Sequence, residues 1–301
     1  MSLPIETIST VLSPAVSYDL TDLDTVRTEL QIDANDTSDD AWLTQAIGQV
    51  SGSIQRYTNR VFPPEFVQDL VQFGRDPFQG ARFGGENEIP LERFPLIAVA
   101  SVVQALPSGA TRSLVAGTDF IANLARGRLL RLGADGRLRR WETLPLTVQY
   151  LAGYGALVQE TDTVPAGSPY AITVSQASAF SCAQSVAYAS GSALQAVAAN
   201  PAQGQFSVSS EGVFTFNAAD ASQTLTFAYG VSNIPADLVE QSLKLITSRY
   251  DAKDRDSWLM LEDQPGIGSK RYWVGGTPGQ SGPFPPDIAA ALDDYRVPGL
   301  A

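Results

Sequence analysis

The sequence predicts an α+β protein in which a small all-β domain is inserted into a discontinuous domain of helices and strands. Three observations support this prediction. Helical periodicity is confined to the two ends of the chain, strand-like segments fill its middle, and the composition changes sharply between residues 159 and 230. We therefore predict one domain from residues 1–158 and 231–301, and an inserted β-sandwich-like domain from residues 159–230.

We predict two helices near the N-terminus, after an arm at residues 1–19 that shows no sustained periodicity. Thr21, with Asp24 three positions later, resembles a capping box and begins the first helix. The second helix follows Ser38, its predicted N-cap. Its apolar residues recur at helical spacing and form one stripe: Leu43, Ile47, Val50, Ile54 and Tyr57.

Strand-like segments separated by glycine and proline turns occupy residues 66–155. A hairpin turn, LGADGR at 132–137, lies in a cluster of six arginines within fifteen residues: Arg126, Arg128, Arg131, Arg137, Arg139 and Arg140. In a chain of net charge −12, this is the strongest charge feature. It predicts either a solvated hairpin face that balances acids elsewhere, or a contact surface for an acidic partner subunit or a DNA backbone.

Residues 159–230 differ from the rest of the chain because they contain four acidic residues and no lysine or arginine. They alternate as strands do. The strand ending LTVQYLAGYG at 146–155 has a counterpart in LTFAYG at 225–230, and only the second is followed at once by a helix start. Removing 159–230 would join the first strand to that helix by a short loop, which predicts an insertion.

Two further helices are predicted beyond the insertion. Pro235 suits the first helical turn of one of them, and Glu240 with Lys244 forms a supporting pair. A short last helix in PPDIAAALDDYRVPG carries an apolar stripe of Ile288, Leu292 and Tyr295.

The composition excludes several kinds of catalytic and metal site. The 301 residues contain no histidine and a single cysteine, Cys182. Histidine-dependent triads, zinc sites of thiolate and imidazole, and disulfides within the chain are therefore excluded. The aspartate-rich loop at 31–40 does not fit a calcium loop, because the sixth position from Asp33 is Ser38 rather than glycine. We expect no cofactor and no metal.

The negative net charge argues against tight binding of DNA, whose affinity comes from neutralising phosphates. An acidic protein can still lie beside DNA and let it pass. The N-terminus lacks the basic region of a signal peptide, and the longest apolar stretch, at 94–106, is too short to span a bilayer. We expect no association with a membrane.

With residues 159–230 set aside, the remaining segments follow a distinctive order. DLDTVRTELQIDANDTSDDAWLTQAIGQVSGSIQRYTNRVF comes first, a β section ending in VQYLAGYG follows, and IPADLVEQSLKLITSRYDAKDR and PPDIAAALDDYR complete the chain. This order resembles the head–tail connector (neck adaptor) family of tailed bacteriophages and related gene transfer agents. The resemblance covers about 20–62, 89–155 and 231–297. The inserted segment is similar to small β modules of phage neck and tail proteins.

The resemblance implies a helical-bundle connector domain with a β section, plus the inserted all-β domain. It implies a structural virion protein whose copies form a ring, typically a dodecamer, below the portal protein. Such a ring extends the DNA channel without specific DNA binding and docks the next neck protein, a stopper or tail terminator. The implied location is the virion neck, after assembly in the host cytoplasm, and the family has no known catalytic task.

Two sets of residues are candidates for these contacts. We expect Ile288, Leu292, Tyr295 and Arg296 either to dock to the portal or to pack on their own domain. The arginine cluster is a candidate contact with a neighbouring copy or with passing DNA.

Two other functions remain open from the sequence. The β domain could be a surface-exposed adhesin or carbohydrate-binding module of a phage particle, although residues 159–230 contain no tryptophan and their aromatics follow the strand alternation. Hydrolysis by a carboxylate pair needs no histidine, but no acid stands out from its neighbours. We therefore expect no enzymatic activity.

Overall fold

The computed structural model of the chain describes residues 5–33, 35–73, 88–253, 261–264, 268–271 and 284–297. The chain divides into two compact units, the first formed by Met1–Ser17 and Pro63–Asn233, and the second by Tyr18–Phe62 and Ile234–Ala301. Within the described residues, the first unit contains no α-helix and all four α-helices belong to the second.

The first unit consists of strands joined by turns. Its first nine strands are β1 (Ile5–Ser13), β2 (Glu65–Phe73), β3 (Glu88–Pro90), β4 (Leu96–Ala105), β5 (Thr111–Leu114), β6 (Phe120–Asn123), β7 (Arg128–Leu132), β8 (Leu138–Arg139) and β9 (Leu146–Ala152). The next seven are β10 (Gly155–Thr163), β11 (Ala171–Thr173), β12 (Phe180–Tyr188), β13 (Gln195–Ala196), β14 (Gln205–Val208), β15 (Val213–Phe216) and β16 (Thr224–Ser232).

The first nine strands form two sheets that share one hydrophobic core. A five-stranded sheet has the order β1-β2-β9-β4-β5, and the hairpin sheet has the order β3-β7-β6 with β8 paired to β7. Val148 and Tyr150 of the first sheet lie in the same buried cluster as Leu129 of the second. Trp141 is also buried there, and its indole N–H donates to the Leu129 carbonyl at 3.1 Å.

A buried tyrosine and a buried aspartate of the five-stranded sheet bind the segment between β3 and β4. The Tyr150 hydroxyl donates to Asp69 Oδ2 at 2.7 Å, and the Glu92 backbone N–H donates to the same oxygen at 2.9 Å. The Arg93 backbone N–H donates to the Tyr150 oxygen at 3.1 Å, and the Arg93 guanidinium lies 2.9 Å from Glu65. Burial, with the nearby Asp69 charge, raises the pKa of Tyr150 well above its usual range. The segment that leads from β3 to β4 is thereby fastened to the five-stranded sheet.

The prediction of a helical-bundle connector domain with a β section is wrong, because the structure is mostly β-sheet. The described residues contain eighteen strands and four α-helices, and two of those helices have only seven and eight residues. The largest share of the apolar residues between 63 and 155 packs in a core made by strands and the loops between them. Sheets that share such a core do not depend on a helical bundle to cover them.

The predicted N-terminal arm is a strand over residues 5–13. β1 pairs antiparallel with β2 from Ile5↔Phe73 to Ser13↔Phe66 and forms one edge of the five-stranded sheet. Periodicity did not reveal it, because one face of β1 stays exposed and mixes polar with apolar residues, including Glu6 and Ile8.

Strands β10 to β16, here called the β module, have a core of their own. One sheet has the order β10-β16-β12 and the other the order β11-β15-β14-β13. The two sheets enclose one cluster that includes six aromatic side chains: Phe180, Phe206, Phe214, Phe216, Phe227 and Tyr229. The chain enters and leaves the module side by side, because β10 and β16 pair from Gly155↔Ser232 to Thr163↔Thr224.

The glycine turn that precedes the β module is required by its surroundings. Gly153 has φ of 130°, and a Cβ there would lie 2.6 Å from the Pro63 carbonyl oxygen. Immediately after it, the Asn233 N–H donates to the Tyr154 carbonyl at 3.0 Å. The repeated AGYG and AYG endings thus lie beside each other where the chain enters and leaves the module.

The β module also contacts the five-stranded sheet, within the same compact unit. Buried Cys182 packs with Phe66 and Leu151, and the Ser181 hydroxyl donates to the Pro64 carbonyl at 2.8 Å. The division of the chain at 159–230 into a separately folding domain therefore stays a prediction, which the module's own core supports.

The second unit contains the four helices and one short hairpin. Its elements are α1 (Leu23–Glu29), α2 (Asp40–Thr58), α3 (Ala236–Tyr250), β17 (Leu261–Gln264), β18 (Gly268–Arg271) and α4 (Pro286–Asp293). The predicted apolar stripe of α2 is confirmed for Leu43, Ile47, Val50 and Ile54, which are buried.

The two predicted N-caps lie one residue too early. Asp22 rather than Thr21 caps α1, its side chain accepting from the Thr25 N–H. α2 begins after Asp39, whose carboxylate does not cap the helix. It instead accepts from the Tyr250 hydroxyl and from Lys253 Nζ, both at 2.7 Å. These hydrogen bonds, that of Lys253 first, hold the pKa of Asp39 below its usual value.

An arginine organises the aspartate-rich loop between α1 and α2. Arg27 donates to the carbonyl oxygens of Asp33 and Asp36 at 2.8 and 2.6 Å and to the carboxylate of Asp40 at 3.1 Å. Its side chain is largely buried. An aspartate-rich sequence of this kind can suggest a metal site. In this loop the Arg27 guanidinium supplies the positive charge that the oxygens bind.

We expect Arg27→Ala to lower the free energy of unfolding by about 1–3 kcal/mol, because three charge-assisted hydrogen bonds and the loop that they hold are lost. Urea denaturation measures this loss. Arg56→Ala, which removes an exposed arginine from α2, is the control and should stay within about 0.5 kcal/mol of wild type. Equal effects of the two substitutions would contradict the assigned role of Arg27.

We expect the remainder of the chain to fold when residues 159–230 are replaced by a short glycine-containing turn. Its stability should fall by roughly 3 kcal/mol, because Phe66 and Leu151 lose the cover of Cys182. Circular dichroism and a cooperative thermal transition test this. A remainder without a cooperative transition would show that the module belongs to the core of its host.

Candidate interaction surfaces

The predicted turn at 132–137 is confirmed and shapes the arginine cluster. β7 and β8 pair antiparallel, the Gly133 N–H donates to the Arg137 carbonyl at 2.9 Å, and Gly136 has φ of 70°. Glycine adopts this left-handed conformation without steric cost. The hairpin therefore places the arginines of the cluster on one small sheet and its turns.

Arg131 is the buried member of the cluster. Its guanidinium donates to the Asp119 carbonyl at 2.6 Å, lies 3.4 Å from the Asp119 carboxylate, and lies 5.7 Å from the centre of the Trp141 ring. These contacts fix β7 against the loop before β6. Arg131 thus belongs to the core of the hairpin sheet and does not present its charge to a partner.

Two other members pair with carboxylates at the surface. Arg128 lies 2.8 Å from Glu88, and Arg139 lies 3.4 Å from Asp135 across the turn. Exposed ion pairs of this kind contribute little to stability, because water and salt screen them. A carboxylate of a partner could replace either acid at small cost.

Arg126, Arg137 and Arg140 are exposed, and none of the other described residues forms an ion pair with them. The same sheet and its turns expose three apolar side chains, of which Leu138 is 62% exposed. We call this set the arginine surface: Arg126, Arg137, Arg140, Ile121, Leu124 and Leu138. Cationic and apolar side chains together are typical of a protein interface, in which arginine is enriched.

Sequence reasoning did not find the apolar half of this surface. Leu138 lies between two arginines in GRLRR, Ile121 lies in the four-residue strand β6, and Leu124 directly follows that strand. The sequence did contain one signal for this apolar group, because Leu138 interrupts a run of arginines. Only the paired strands show that these side chains point away from the core.

Asp119, in the loop before β6, binds Arg131 of the hairpin sheet and Arg112 of β5. Its Oδ2 accepts from the Val115 N–H at 2.9 Å, and its Oδ1 lies 3.1 Å from Arg112. The Val115 hydrogen bond first, and then Arg131 and Arg112, hold the pKa of Asp119 below its usual value despite partial desolvation.

The four residues predicted for portal docking do not form one exposed surface. Ile288 and Leu292 are buried within the second unit. The Tyr295 hydroxyl donates to Asp237 Oδ2 at 2.7 Å, and its ring contacts Phe62 at a centroid distance of 5.9 Å.

Arg296 is exposed and stacks on an aromatic ring. Its guanidinium lies 5.3 Å from the centre of the Tyr57 ring, and Tyr57 donates to Asp293 at 2.8 Å. The exposed positions of α4 include Asp287, Ala290 and Asp293. The solvent-facing side of this helix is therefore acidic.

The described residues contain no group of three or more acidic, cysteine or histidine side chains that could hold a metal ion. Cys182 is buried, and burial raises the pKa of its thiol to about 12. Such a thiol is unreactive at neutral pH. None of the helices in the described ranges has the length and apolar character to cross a bilayer.

No protein-family model and no curated protein matches the chain. Three solved chains are similar in structure. The first, from the neck of an empty GTA particle computed with C6 symmetry, has 13% identity and a TM-score of 0.40 over 98% of this chain and 95% of that one.

The second belongs to the virion of a native gene transfer agent (GTA) particle, with 12% identity and a TM-score of 0.40 over 97% of this chain and 94% of that one. The third, from the neck of a native GTA particle computed with C12 symmetry, has 12% identity and a TM-score of 0.39 over 96% of this chain and 94% of that one. At these TM-scores the likeness is too low to assign a function.

Asp119→Asn tests the electrostatics beneath the arginine surface. Because the folded pKa of Asp119 is lowered, its contribution to stability is fully present above the unfolded pKa of about 3.9 and is lost as the pH falls through the folded pKa. We expect the variant to be less stable near pH 7 and to lose less stability on acidification than wild type. Urea unfolding from about pH 7 to about pH 2 measures both. The control is Asp294→Asn, which removes an exposed carboxylate from the end of α4. Identical dependence of stability on pH for wild type and Asp119→Asn would contradict the prediction.

Proposed function

We propose that this chain is a structural component of a phage-like particle, a head–tail connector whose copies form a ring below the portal. The ring extends the DNA channel and presents the docking surface for the next neck or tail protein, such as a stopper or tail terminator. The virion neck is then its location, after assembly in the host cytoplasm. The order of segments in the sequence supports this proposal.

The observation that carries the proposal is the arginine surface. The chain has a net charge of −12, yet Arg126, Arg137 and Arg140 remain exposed without an ion-pair partner among the described residues. An acidic surface of a partner would neutralise them, and the exposed leucines beside them would be buried in the same contact.

A neighbouring copy of the chain is a suitable acidic partner. A ring repeats one heterologous contact around an axis, so each copy needs two different and complementary faces. The arginine surface supplies the basic face, and 32 acidic residues against 20 basic ones provide carboxylates for the other. Twelve copies are the expected number, because that is typical of the family that the sequence resembles.

The acidic character also suits a channel through which DNA passes. Binding of DNA depends on the neutralisation of phosphates, and a net negative lumen avoids it. We therefore expect DNA to slide without specific contacts. Arginine contacts with its backbone are the less favoured use of the surface, because they would slow this passage.

We assign the portal contact to the exposed side of the C-terminal segment. Ile288 and Leu292 hold α4 on its own unit, whereas Arg296 and the carboxylates of α4 reach solvent. Tyr295 and Arg296 would then meet the portal at the end of the helix, with the buried pair positioning them.

The adhesin alternative finds no support in the β module. A carbohydrate site stacks sugars on exposed aromatic rings, but Phe206, Phe214 and Phe227 of the module are buried in its core. Its described surface offers mainly threonine and serine, as in the pair Thr163–Thr224 at 3.2 Å.

We expect Arg137→Glu/Arg140→Glu to prevent assembly of the ring, because two cations of the interface become anions. Native mass spectrometry of the purified chain, with and without portal protein, measures the number of copies. Arg139 is left unchanged, since its pair with Asp135 stabilises the turn. The matched control is Arg56→Glu/Arg249→Glu, which makes the same change in net charge at exposed positions of α2 and α3.

Wild type and control should form the same closed oligomer, and the double arginine variant should remain monomeric while keeping its circular dichroism spectrum. A wild-type chain that stays monomeric and does not bind portal protein would refute the connector function. A ring formed equally by both variants would refute the role of the arginine surface.

A further inference from the structure

The five-stranded sheet ends in a long strand whose outer edge is open. β1 has nine residues and pairs with β2 on one side, and no described strand pairs with it on the other. Such an edge presents a row of backbone N–H and C=O groups that can pair with another chain. Monomeric proteins usually protect an edge of this length.

β1 carries few of the usual protections. Residues 5–13 contain no proline, lysine or arginine, and Glu6 is their single charge. Ile8 and Leu12, the latter at a β-bulge, are exposed to solvent over 50% and 44% of their surfaces. A β-rich, weakly charged and partly apolar edge is suited to pairing with a strand.

The opposite edge of the same sheet is β5, which is also paired on one side only among the described strands. All neighbours in the sheet are antiparallel. Because the sheet has five strands, its two edge strands run in the same direction. A copy related by rotation about an axis along the strands would therefore bring its β5 parallel to β1.

The charges at the two edges are complementary. β1 carries Glu6, and β5 carries Arg112, whose side chain is half exposed. Residues 94–118, which include β4 and β5, contain no acid, and residues 1–26 contain no base. Like-charge contacts therefore do not oppose the approach of β5 to β1.

We infer that β1 of one copy pairs with β5 of a second copy and continues the five-stranded sheet across the boundary between them. The head-to-tail form of this pairing rests on the proposed ring, because only a heterologous contact uses both edges of every copy. Closure of the ring would leave neither edge of the five-stranded sheet exposed. A pair of β1 strands across a two-fold axis is the competing arrangement, and it would leave both β5 edges open.

Single cysteines distinguish these arrangements. Ser9 of β1 and Ser113 of β5 are exposed, and the native Cys182 is buried. We expect a mixture of full-length Ser9→Cys and Ser113→Cys chains, treated with a short bis-maleimide, to give a cross-linked dimer that contains one chain of each kind. Each variant alone should stay uncross-linked.

A charge on β1 tests whether the strand edge itself makes the contact. Ile8→Lys/Leu12→Lys in the Ser9→Cys chain should abolish the cross-link, because lysines on an edge strand block pairing. Both side chains are exposed, so the thermal transition should change little. Thr163→Lys in the Ser9→Cys chain, which adds lysine to the exposed edge strand β10 of another sheet, is the control and should retain the cross-link.

Cross-linking of Ser9→Cys with itself would overturn the inference in favour of a two-fold β1 pair. The absence of any cross-link would also overturn it, and a ring seen by native mass spectrometry in that case would leave the connector function intact. A mixed cross-link from a chain that forms open oligomers would support the strand pairing and contradict the closed ring.

Discussion

The buried hydrogen bond from Tyr150 to Asp69 is the interaction on which the first unit depends. Both side chains are fully buried, so the carboxylate needs its two donors, the Tyr150 hydroxyl and the Glu92 N–H, to offset the cost of leaving water. Those donors come from β9 and from the segment before β4. The Oδ2 atom of Asp69 therefore links the five-stranded sheet to the segment that follows β3 of the hairpin sheet, and the arginine surface is carried on that hairpin sheet.

Each unit satisfies some of its arginines internally. Arg27 neutralises and hydrogen-bonds the loop before α2, and Arg131 does the same for Asp119 beneath β7. Guanidinium groups suit these positions, since their donors meet several oxygens at once. The arginines of the arginine surface form no ion pairs of this kind with the described residues. This difference separates the structural cations of the chain from those that we assign to a partner.

The helix periodicity and the hairpin turn at 132–137 could be predicted from sequence, because each depends on residues close together in the chain. Leu43, Ile47 and Val50 show their face by spacing alone. Strand β1 could not be predicted, since one of its faces is covered only through its pairing with β2, and β2 begins 52 residues after β1 ends.

The prediction of a helical bundle was wrong because the order of segments that resembles a known family does not say which elements share a core. Ile288 and Leu292 show the same limit of sequence-based prediction. An apolar stripe on a helix can pack against a partner protein or against its own unit, and here both residues are buried in their own unit.

The sequence by itself determined part of the local structure and the charge: the apolar stripe of α2, the turn at 132–137, and that an acidic chain without histidine carries one dense group of arginines. Only the tertiary structure decided that Arg131 lies in the core whereas Arg137 and Arg140 reach solvent, and that β1 is an edge strand with no second partner among the described strands. The physical reason is that propensity and charge act over a few residues, whereas burial and strand pairing depend on segments that are distant in sequence and meet only in the folded chain.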